Sequence, residues 1–226
     1  GTNDAVTSAG RNNELAYQVA KSAKELKRDM ETALLSNVAK TAGNATTARK
    51  LGGCPTWYET NVDAGSGGSG AGNGAIRTDG TQRAFTEDQL KGILVSCYNE
   101  GGNPNMIMVN AFNKQKLSGF TGGSTRFDAA EDRRLITSID VYESDFGTMQ
   151  VSPNRFIRGA NGTAAKIGQD AHILDMEYWA VSFLRDFALQ TPAQTADADQ
   201  RFMVAEYTLE SRNEKASGLI TDLTTS

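Results

Sequence analysis

NNELAYQVAKSAKELKRDMETALLSNVAKT, residues 12–41, runs without a glycine or a proline. Its apolar residues recur at spacings of three and four, which places them on one face of a helix. The stretch therefore predicts one helix through Thr41, with Gly43 as the stop signal just beyond it. Such a helix would be roughly 45 Å long, about the diameter of a compact globule of this length, so we expect it to be the spine of the domain. The apolar stripe consists of Leu15, Val19, Ala23, Leu26, Met30, Leu34 and Val38.

The composition limits the classes of protein to which the 226-residue chain can belong. A net charge of −4 argues against a protein that wraps a nucleic acid. No apolar run approaches the ~20 residues of a membrane span, and the polar start GTNDAVTSAG is no signal peptide. Cys54 and Cys97 are the only cysteines, and in a chain without a secretion signal we expect both to be reduced thiols.

The middle third of the chain, roughly residues 84–160, predicts a small α/β unit. Thr86 opens a helix with a capping-type start, and Met106–Val109 reads as an apolar strand buried on both faces. The apolar face of that helix comprises Leu90, Ile93, Leu94, Cys97 and Tyr98. The other predicted elements are helices at 111–118 and 129–135 and strands at 139–143 and 148–153.

The last third predicts strands at 171–174, 179–184 and 202–209. The last two are long and are joined by the polar segment 191–200, as in an extended hairpin. A hairpin of this kind needs an apolar partner to be stable. We expect these C-terminal strands to pack along residues 15–38, with the middle third as a separate inserted lobe.

The segment AGSGGSGAGNG, residues 64–74, is low in complexity and is typical of flexible chain. Gly65, Gly67 and Gly70 match G-x-G-x-x-G, but a phosphate-binding loop needs a buried strand before it and a helix directly after it. Polar residues flank this segment on both sides. We therefore expect a mobile surface loop whose deletion leaves the thermal midpoint nearly unchanged.

Candidate chemistry depends on His172, the only histidine. One imidazole without a second histidine or paired cysteines makes a transition-metal site a poor interpretation, and a strand-borne histidine among surface carboxylates is favoured. Cys54 or Cys97 could form a nucleophilic dyad with His172, but neither cysteine stands in a known signature. No G-x-S-x-G elbow is present. The sequence thus predicts no catalytic, cofactor-binding or metal-binding residues and no enzyme.

Six segments, in this order along the chain, are similar to major capsid proteins of tailed bacteriophages, in particular the podophage and siphophage types. They are ELKRDMETALLSN (25–37), TTARKLGG (46–53), GFTGGSTRFD (119–128), VYESDFGTMQVSPNRF (141–156), EYWAVSFLR (177–185) and EYTLESRNEKASGLI (206–220).

The resemblance implies an α+β fold, the tailed-phage major capsid fold, with a peripheral and an axial domain. Residues 1–45 and 165–226 would form the peripheral domain, with the spine helix and the long strands. Residues 46–80 would be an irregular glycine-rich connection, and residues 81–164 an inserted α/β axial domain. The family also has an N-terminal arm and an extended loop before the spine helix, so the resemblance implies a chain truncated before that helix.

The function implied is that of a structural subunit of an icosahedral phage head. Copies of the chain would self-assemble into pentamers and hexamers around the DNA genome, which they would touch only non-specifically. Scaffolding and head-decoration proteins would be further partners, with no membrane. The location would be the virion, after assembly in the host cytoplasm.

Two alternatives remain open at the level of sequence. One is a nanocompartment, or encapsulin-like, shell protein of the same fold. The other is a small α/β enzyme that uses the 84–160 lobe, with the glycine-rich loop as its lid. A pocket lined by convergent titratable side chains would favour the enzyme.

Overall fold

The structure, a computed structural model, describes residues 14–120, 140–157, 169–193 and 200–225. The predicted helix at 129–135 and most of the loop at 119–128 lie outside the described residues. Contacts within the chain divide it into two compact units. The helix–ribbon unit comprises Gly1–Ala33 and Val181–Thr208, and the sheet unit comprises Leu34–Ala180 and Leu209–Ser226.

The predicted spine is helix α1, Glu14–Leu35, which at 22 residues is about 33 Å long. Its apolar stripe is confirmed for six of its seven members, since Leu15, Val19, Ala23, Leu26, Met30 and Leu34 are half-buried and most of the residues between them are exposed. The seventh member, Val38, lies beyond the end of the helix. The start predicted at Asn12 lies outside the described residues. The end predicted at Thr41 is wrong, since the helix stops at Leu35.

Backbone contacts with a distant segment explain the early end of α1. The Gly53 amide donates to the Val38 carbonyl at 3.2 Å, and Thr41 and Lys50 exchange two backbone hydrogen bonds of 3.0 Å. A Cβ atom on Gly53 would lie 1.8 Å from the Ser36 carbonyl oxygen, so only glycine allows this approach. Residues after Leu35 thus form tertiary hydrogen bonds in place of helical ones, which helix propensity alone cannot indicate.

The sheet unit is built on a six-stranded sheet. Its strands are β1 (Val62–Asp63), β2 (Met106–Val109), β3 (Val141–Ser144), β4 (Gly147–Pro153), β5 (Ala171–Leu174) and β8 (Gly218–Ile220). Their order is β1-β8-β5-β2-β4-β3. The pairs β1/β8 and β2/β4 are parallel, whereas β8/β5, β5/β2 and β4/β3 are antiparallel.

Both faces of this sheet are covered. Ile107 and Val109 of β2 lie in the larger hydrophobic core, whereas Met106 and Met108 pack on a second core around Cys54 and Tyr58. Because side chains alternate along a strand, a short strand covered on both faces is apolar throughout. The predicted burial of β2 on both faces is confirmed.

Two helices of the sheet unit form where the sequence predicts them. Helix α2, Glu87–Asn99, begins with a capping box in which Thr86 and Gln89 exchange side-chain and backbone hydrogen bonds. It buries Leu90, Ile93, Leu94 and Cys97 as predicted. Tyr98 departs from the prediction, because its side chain is exposed. Helix α3, Ala111–Ser118, is capped by Asn110.

Two long strands, β6 (Trp179–Gln190) and β7 (Phe202–Ser211), pair with each other in a separate ribbon. The described residues 181–193 and 200–208 group with residues 14–33 of α1, as expected for strands that pack along the helix. β5 and β8, also from the last third, instead lie in the sheet with β2, β3 and β4. The peripheral and axial domains, with their predicted boundaries, stay a prediction.

The glycine-rich segment is packed within the sheet unit, so the prediction of a mobile loop is wrong. Ser69 and Thr78 exchange two backbone hydrogen bonds, and the Gly65 amide donates to Asp222 Oδ2 at 3.0 Å. A Cβ atom on Gly65 would lie 2.0 Å from the Thr81 carbonyl oxygen. The glycines here therefore permit close backbone packing, which low complexity alone does not reveal.

Candidate functional site

The G-x-G-x-x-G match does not form a phosphate cradle. The two-residue strand β1 precedes it, but the next helix, α2, begins only at Glu87. The Gly65 amide, which would have to face a phosphate, already donates to the Asp222 carboxylate. The segment thus lacks the helix N-terminus that such a site requires.

His172 and Cys54 do come together in the structure. Cys54 Sγ lies 3.9 Å from His172 Nδ1 and 3.4 Å from the Tyr58 hydroxyl, and all three side chains are buried. His172 is borne by strand β5 as predicted, but its position among surface carboxylates is wrong, since the flanking Asp170 and Asp175 are buried too.

The electrostatics of this pair oppose nucleophilic chemistry. Burial raises the pKa of the Cys54 thiol to about 12. Burial, together with the positive charge of Arg77, lowers the pKa of His172 to about 3. Both groups are therefore neutral at pH 7, whereas a cysteine nucleophile needs a thiolate and an accessible surface.

Cys97 is also a core residue. It is wholly buried on α2, near the side-chain amide of Asn61 at 3.6 Å, and burial raises the pKa of its thiol to about 12. Within the described residues, no group of three or more histidine, cysteine or acidic side chains is arranged to hold a metal ion. In the same part of the chain, no helix combines the length and apolarity needed to cross a membrane.

A buried ionic cluster that sequence reasoning missed surrounds Arg77. The guanidinium contacts Asp170 at 2.7 Å, Asp79 at 2.9 Å and Asp222 at 3.3 Å. Asp170 and Asp222 lie 93 and 145 residues away along the chain. No local pattern could have signalled this cluster, because only the fold brings its members together.

The most conspicuous surface of the molecule is the helix–ribbon unit. None of its described residues, 14–33, 181–193 and 200–208, is buried. α1 does lie beside the ribbon, with Lys27 Nζ 6.0 Å from the centre of the Phe187 ring. A globular domain normally buries most of its apolar side chains. The described residues of this unit form no such buried core, so the unit lacks the burial that would stabilise it alone.

The exposed apolar side chains of the ribbon lie on both of its faces. Phe183 is on the face of Phe187 and Tyr207, with ring centroids 5.9 and 6.3 Å apart, yet it remains 42% exposed. Leu184 points to the opposite face because side chains alternate along β6, and it is 77% exposed. Val181, Leu189 and Phe202 are each more than a third exposed as well.

Among the described residues, β6 and β7 pair with each other and with no further strand. Apolar surface of this extent on such a ribbon marks an interaction site. Arg185 of β6 forms an ion pair across the ribbon with Glu206 of β7. Such an exposed apolar surface is suited to contact with another protein chain.

Comparisons with known proteins agree with this geometry. The family model described as SU10 major capsid protein matches residues 1–224. A search of curated proteins finds no match. Among solved structures, the chain is similar to the holo-SrpI encapsulin complex from Synechococcus elongatus PCC 7942, determined by cryoEM. The TM-score is 0.56 at 12% sequence identity, with coverage of 100% of this chain and 71% of that chain, so the likeness shows a shared fold alone.

Proposed function

Because the chain belongs to the SU10 major capsid protein family, we propose that copies of it form the pentamers and hexamers of an icosahedral phage head around the DNA genome. The predicted fold class is confirmed: the chain has the α+β tailed-phage major capsid fold. Its predicted role as a head shell subunit is confirmed as well, and the virion capsid is its location.

The exposure of the helix–ribbon unit supports a proposal for the surfaces through which copies of the chain contact one another. The helix–ribbon unit buries none of its described residues and exposes Phe183, Leu184 and Leu189 in the single chain. A subunit that buries part of its apolar side chains only when it assembles into a shell should expose them as a single chain. We therefore assign the apolar faces of α1, β6 and β7 to contacts between neighbouring copies.

The domain roles follow the same proposal. Residues 1–45 and 165–226 would act as the peripheral domain and residues 81–164 as the axial domain, joined by the connection at 46–80. The half-buried stripe of α1 and the long strands β6 and β7 support the peripheral role of their part of the chain.

Further partners and the cellular setting belong to the proposal too. Scaffolding and decoration proteins would bind the shell during assembly in the host cytoplasm, and packaged DNA would be touched non-specifically. The net charge of −4 supports a wall that does not grip the DNA it encloses.

We also propose that the protein is not an enzyme. The buried, neutral state of Cys54 and His172 supports this. In the 84–160 lobe, a cavity of about 10 Å³ between α2 and the β3–β4 turn holds no more than a water molecule, and its one titratable lining residue is Tyr98.

A nanocompartment shell is the second candidate, favoured by the likeness to an encapsulin. The two functions share a fold and differ in content. Shells that enclose a cargo protein in the native host would favour the nanocompartment, and shells that package DNA favour the phage head.

The test is negative-stain electron microscopy and sedimentation of the full-length protein with Leu184→Glu. Leu184 is 77% exposed, so the substitution should leave the fold of the single chain intact. Burying that surface at a contact is worth ~1–2 kcal/mol, and burying a carboxylate in its place costs several kcal/mol more. We expect wild-type shells or capsomers and a Leu184→Glu protein shifted to monomers, a loss of more than tenfold in association per contact.

Val95→Glu is the matched control, because it replaces another exposed apolar side chain, 41% exposed on α2, by the same charge outside the proposed contact faces. We expect it to assemble as wild type does. Normal shells from Leu184→Glu would exclude this face as a contact, and a uniformly monomeric wild-type protein would overturn self-assembly itself.

A further inference from the structure

The buried cluster around Arg77 joins three separate parts of the sheet unit. Arg77 lies just after the glycine-rich segment, in the packed stretch 64–83, Asp170 stands directly before β5, and Asp222 follows β8. All three side chains have no exposed surface. The Asp79 carboxylate, 30% exposed, is the fourth member. The ionic contacts of Arg77 thus hold residues 64–83 against the sheet.

The charges in this cluster do not balance. Among the described residues, the one guanidinium of Arg77 contacts two wholly buried carboxylates, Asp170 and Asp222, so these three groups carry an excess negative charge when all are ionised, in a site with little access to water. A buried charge without full compensation is strongly destabilising. The structure therefore favours the binding of a proton by one of the buried carboxylates.

Hydrogen bonding distinguishes the two wholly buried carboxylates. Asp222 Oδ2 accepts from the Gly65 amide at 3.0 Å and from the Thr221 hydroxyl at 2.9 Å. Burial alone would raise the pKa of Asp222, but these bonds, with one from the Gly80 amide and the charge of Arg77, hold it below its ordinary value. Asp222 is thus the carboxylate that stays ionised.

Asp170 is the carboxylate that lacks such support. Its Oδ1 accepts from Arg77 Nη2 at 2.7 Å, but its Oδ2 has no hydrogen-bond partner within the described part of the chain. Burial raises the pKa of Asp170 to about 7, even though Arg77 opposes the shift. The negative charges of Asp222 and Asp79 act in the same direction as burial.

The groups on the other side of Asp170 remain uncharged near neutral pH. His172 is two residues along and on the same face, and beside it lie Cys54 and Tyr58. The pKa of His172 is lowered to about 3, that of Cys54 is raised to about 12, and that of Tyr58 is raised well above its ordinary value. Around pH 7, therefore, Asp170 is the member of this neighbourhood that changes charge.

We propose that Arg77, Asp170 and Asp222 form a proton-dependent clamp, in which Asp170 takes up one proton as residues 64–83 dock on the sheet. The clamp holds residues 64–83 tightly at pH 6 and more loosely at pH 8. It is built into the single chain and does not depend on the capsid assignment.

The sign of the effect follows from linkage. The pKa of Asp170 is about 7 in the folded protein and 3.8 ordinarily, so its stabilising contribution is present below pH 3.8 and is lost as the pH rises through 7. Between pH 6 and 8 this site alone increases the opening constant of the segment by up to about tenfold. The lowered pKa of His172 has the opposite effect, because it makes the folded state more stable as the pH rises. His172 is present in wild type and in each variant, so its effect cancels when their ratios are compared.

The experiment is hydrogen exchange, resolved to residues 64–83, on wild type and Asp170→Asn at pH 6 and pH 8, after correction for intrinsic exchange rates. The amides of Gly68, Ser69, Thr78 and Thr81 are suitable probes, since each donates a backbone hydrogen bond within the segment. We expect the ratio of opening constants at pH 8 and pH 6 to be up to about tenfold larger in wild type than in Asp170→Asn. Equal ratios would overturn the proposal.

Asp88→Asn is the matched control, because it makes the same change at an exposed aspartate of α2 that takes no part in the cluster, and it should retain the wild-type ratio. If Asp170→Asn does not fold, wild-type protein with ¹³C-labelled aspartate carboxyls provides the answer by NMR. One aspartate with a midpoint near pH 7 supports the clamp, whereas midpoints below pH 5 for every aspartate would exclude it.

Discussion

Substitution of Gly65 by alanine tests whether the glycine-rich segment is packed. The added Cβ atom would lie 2.0 Å from the Thr81 carbonyl oxygen, whereas ordinary contacts begin at 3.4 Å. The two backbone segments would therefore have to separate by about 1.4 Å. Such a shift would also break the 3.0 Å hydrogen bond from the Gly65 amide to the Asp222 carboxylate.

The size of the effect can be estimated from these two losses. Overpacking costs about 1–3 kcal/mol, and a hydrogen bond to a charged group contributes about 1.5–3 kcal/mol. Alanine also reduces the conformational entropy of the unfolded chain, which offsets these losses by about 0.4–1 kcal/mol. Gly65→Ala should therefore lower the free energy of unfolding by about 2–5 kcal/mol. At ~2–4 °C per kcal/mol for a chain of this size, the thermal midpoint falls by ~4–20 °C.

Tryptophan fluorescence during thermal unfolding is the suitable assay. The only two tryptophans, Trp57 and Trp179, both belong to the sheet unit, and Trp179 packs 5.5 Å from Tyr58. Gly92→Ala is the matched control, because its Cβ atom would meet nothing within 4 Å on the exposed side of α2. It should stabilise the protein by about 0.8–1 kcal/mol through helix propensity.

The thermal midpoints of the two variants together test whether residues 64–83 are packed. A midpoint of Gly65→Ala equal to or above that of wild type, with Gly92→Ala behaving as expected, would refute the packing described for residues 64–83. The segment would then be the free loop that its composition predicts, and its deletion would be tolerated.

Two further predictions concern groups of the sheet unit. Because burial raises the pKa of both Cys54 and Cys97 to about 12, a thiol reagent at pH 8 should label neither in the native protein and both in denaturant, and rapid native labelling would contradict their burial. Glu214 accepts hydrogen bonds from the Glu59 and Thr60 amides and the Thr60 hydroxyl, which outweigh partial burial and lower its pKa below 4.5. The stabilising contribution of ionised Glu214 is present above pH 4.5 and is lost as the pH falls through its lowered pKa. Glu214→Gln should therefore lower the free energy of unfolding by about 1 kcal/mol at pH 7. It should also weaken the pH dependence of that free energy between about pH 5 and 3, as measured by urea unfolding. An unchanged acid dependence would contradict the role of Glu214.

The elements that sequence reasoning located correctly are those specified by neighbouring residues. The half-buried stripe of α1, the capping box of Thr86 and Gln89, and the apolar strand β2 each depend on residues within a few positions. The same reasoning placed Cys97 on the apolar face of α2, where the structure has it. Local periodicity and capping chemistry suffice for such features.

The errors share a different origin. α1 ends at Leu35 because the backbone groups of Val38 and Thr41 bond to Gly53 and Lys50, and the glycine-rich segment is packed because the Gly65 amide donates to Asp222. The proximity of Cys54 to His172 crosses 118 residues. Sequence spacing carries no information about partners so far apart, and low complexity looks the same in a free loop and in a tightly packed one.

Periodicity and turn residues were thus enough to specify a long amphipathic helix, a mixed α/β middle and a late pair of long strands, since each depends on short-range geometry. Which strands share a sheet, how Arg77 is neutralised and which apolar faces remain uncovered were decided only in three dimensions. The physical reason is that burial and charge compensation are properties of the whole packed chain, in which each side chain's environment comes from residues that its own neighbours do not determine.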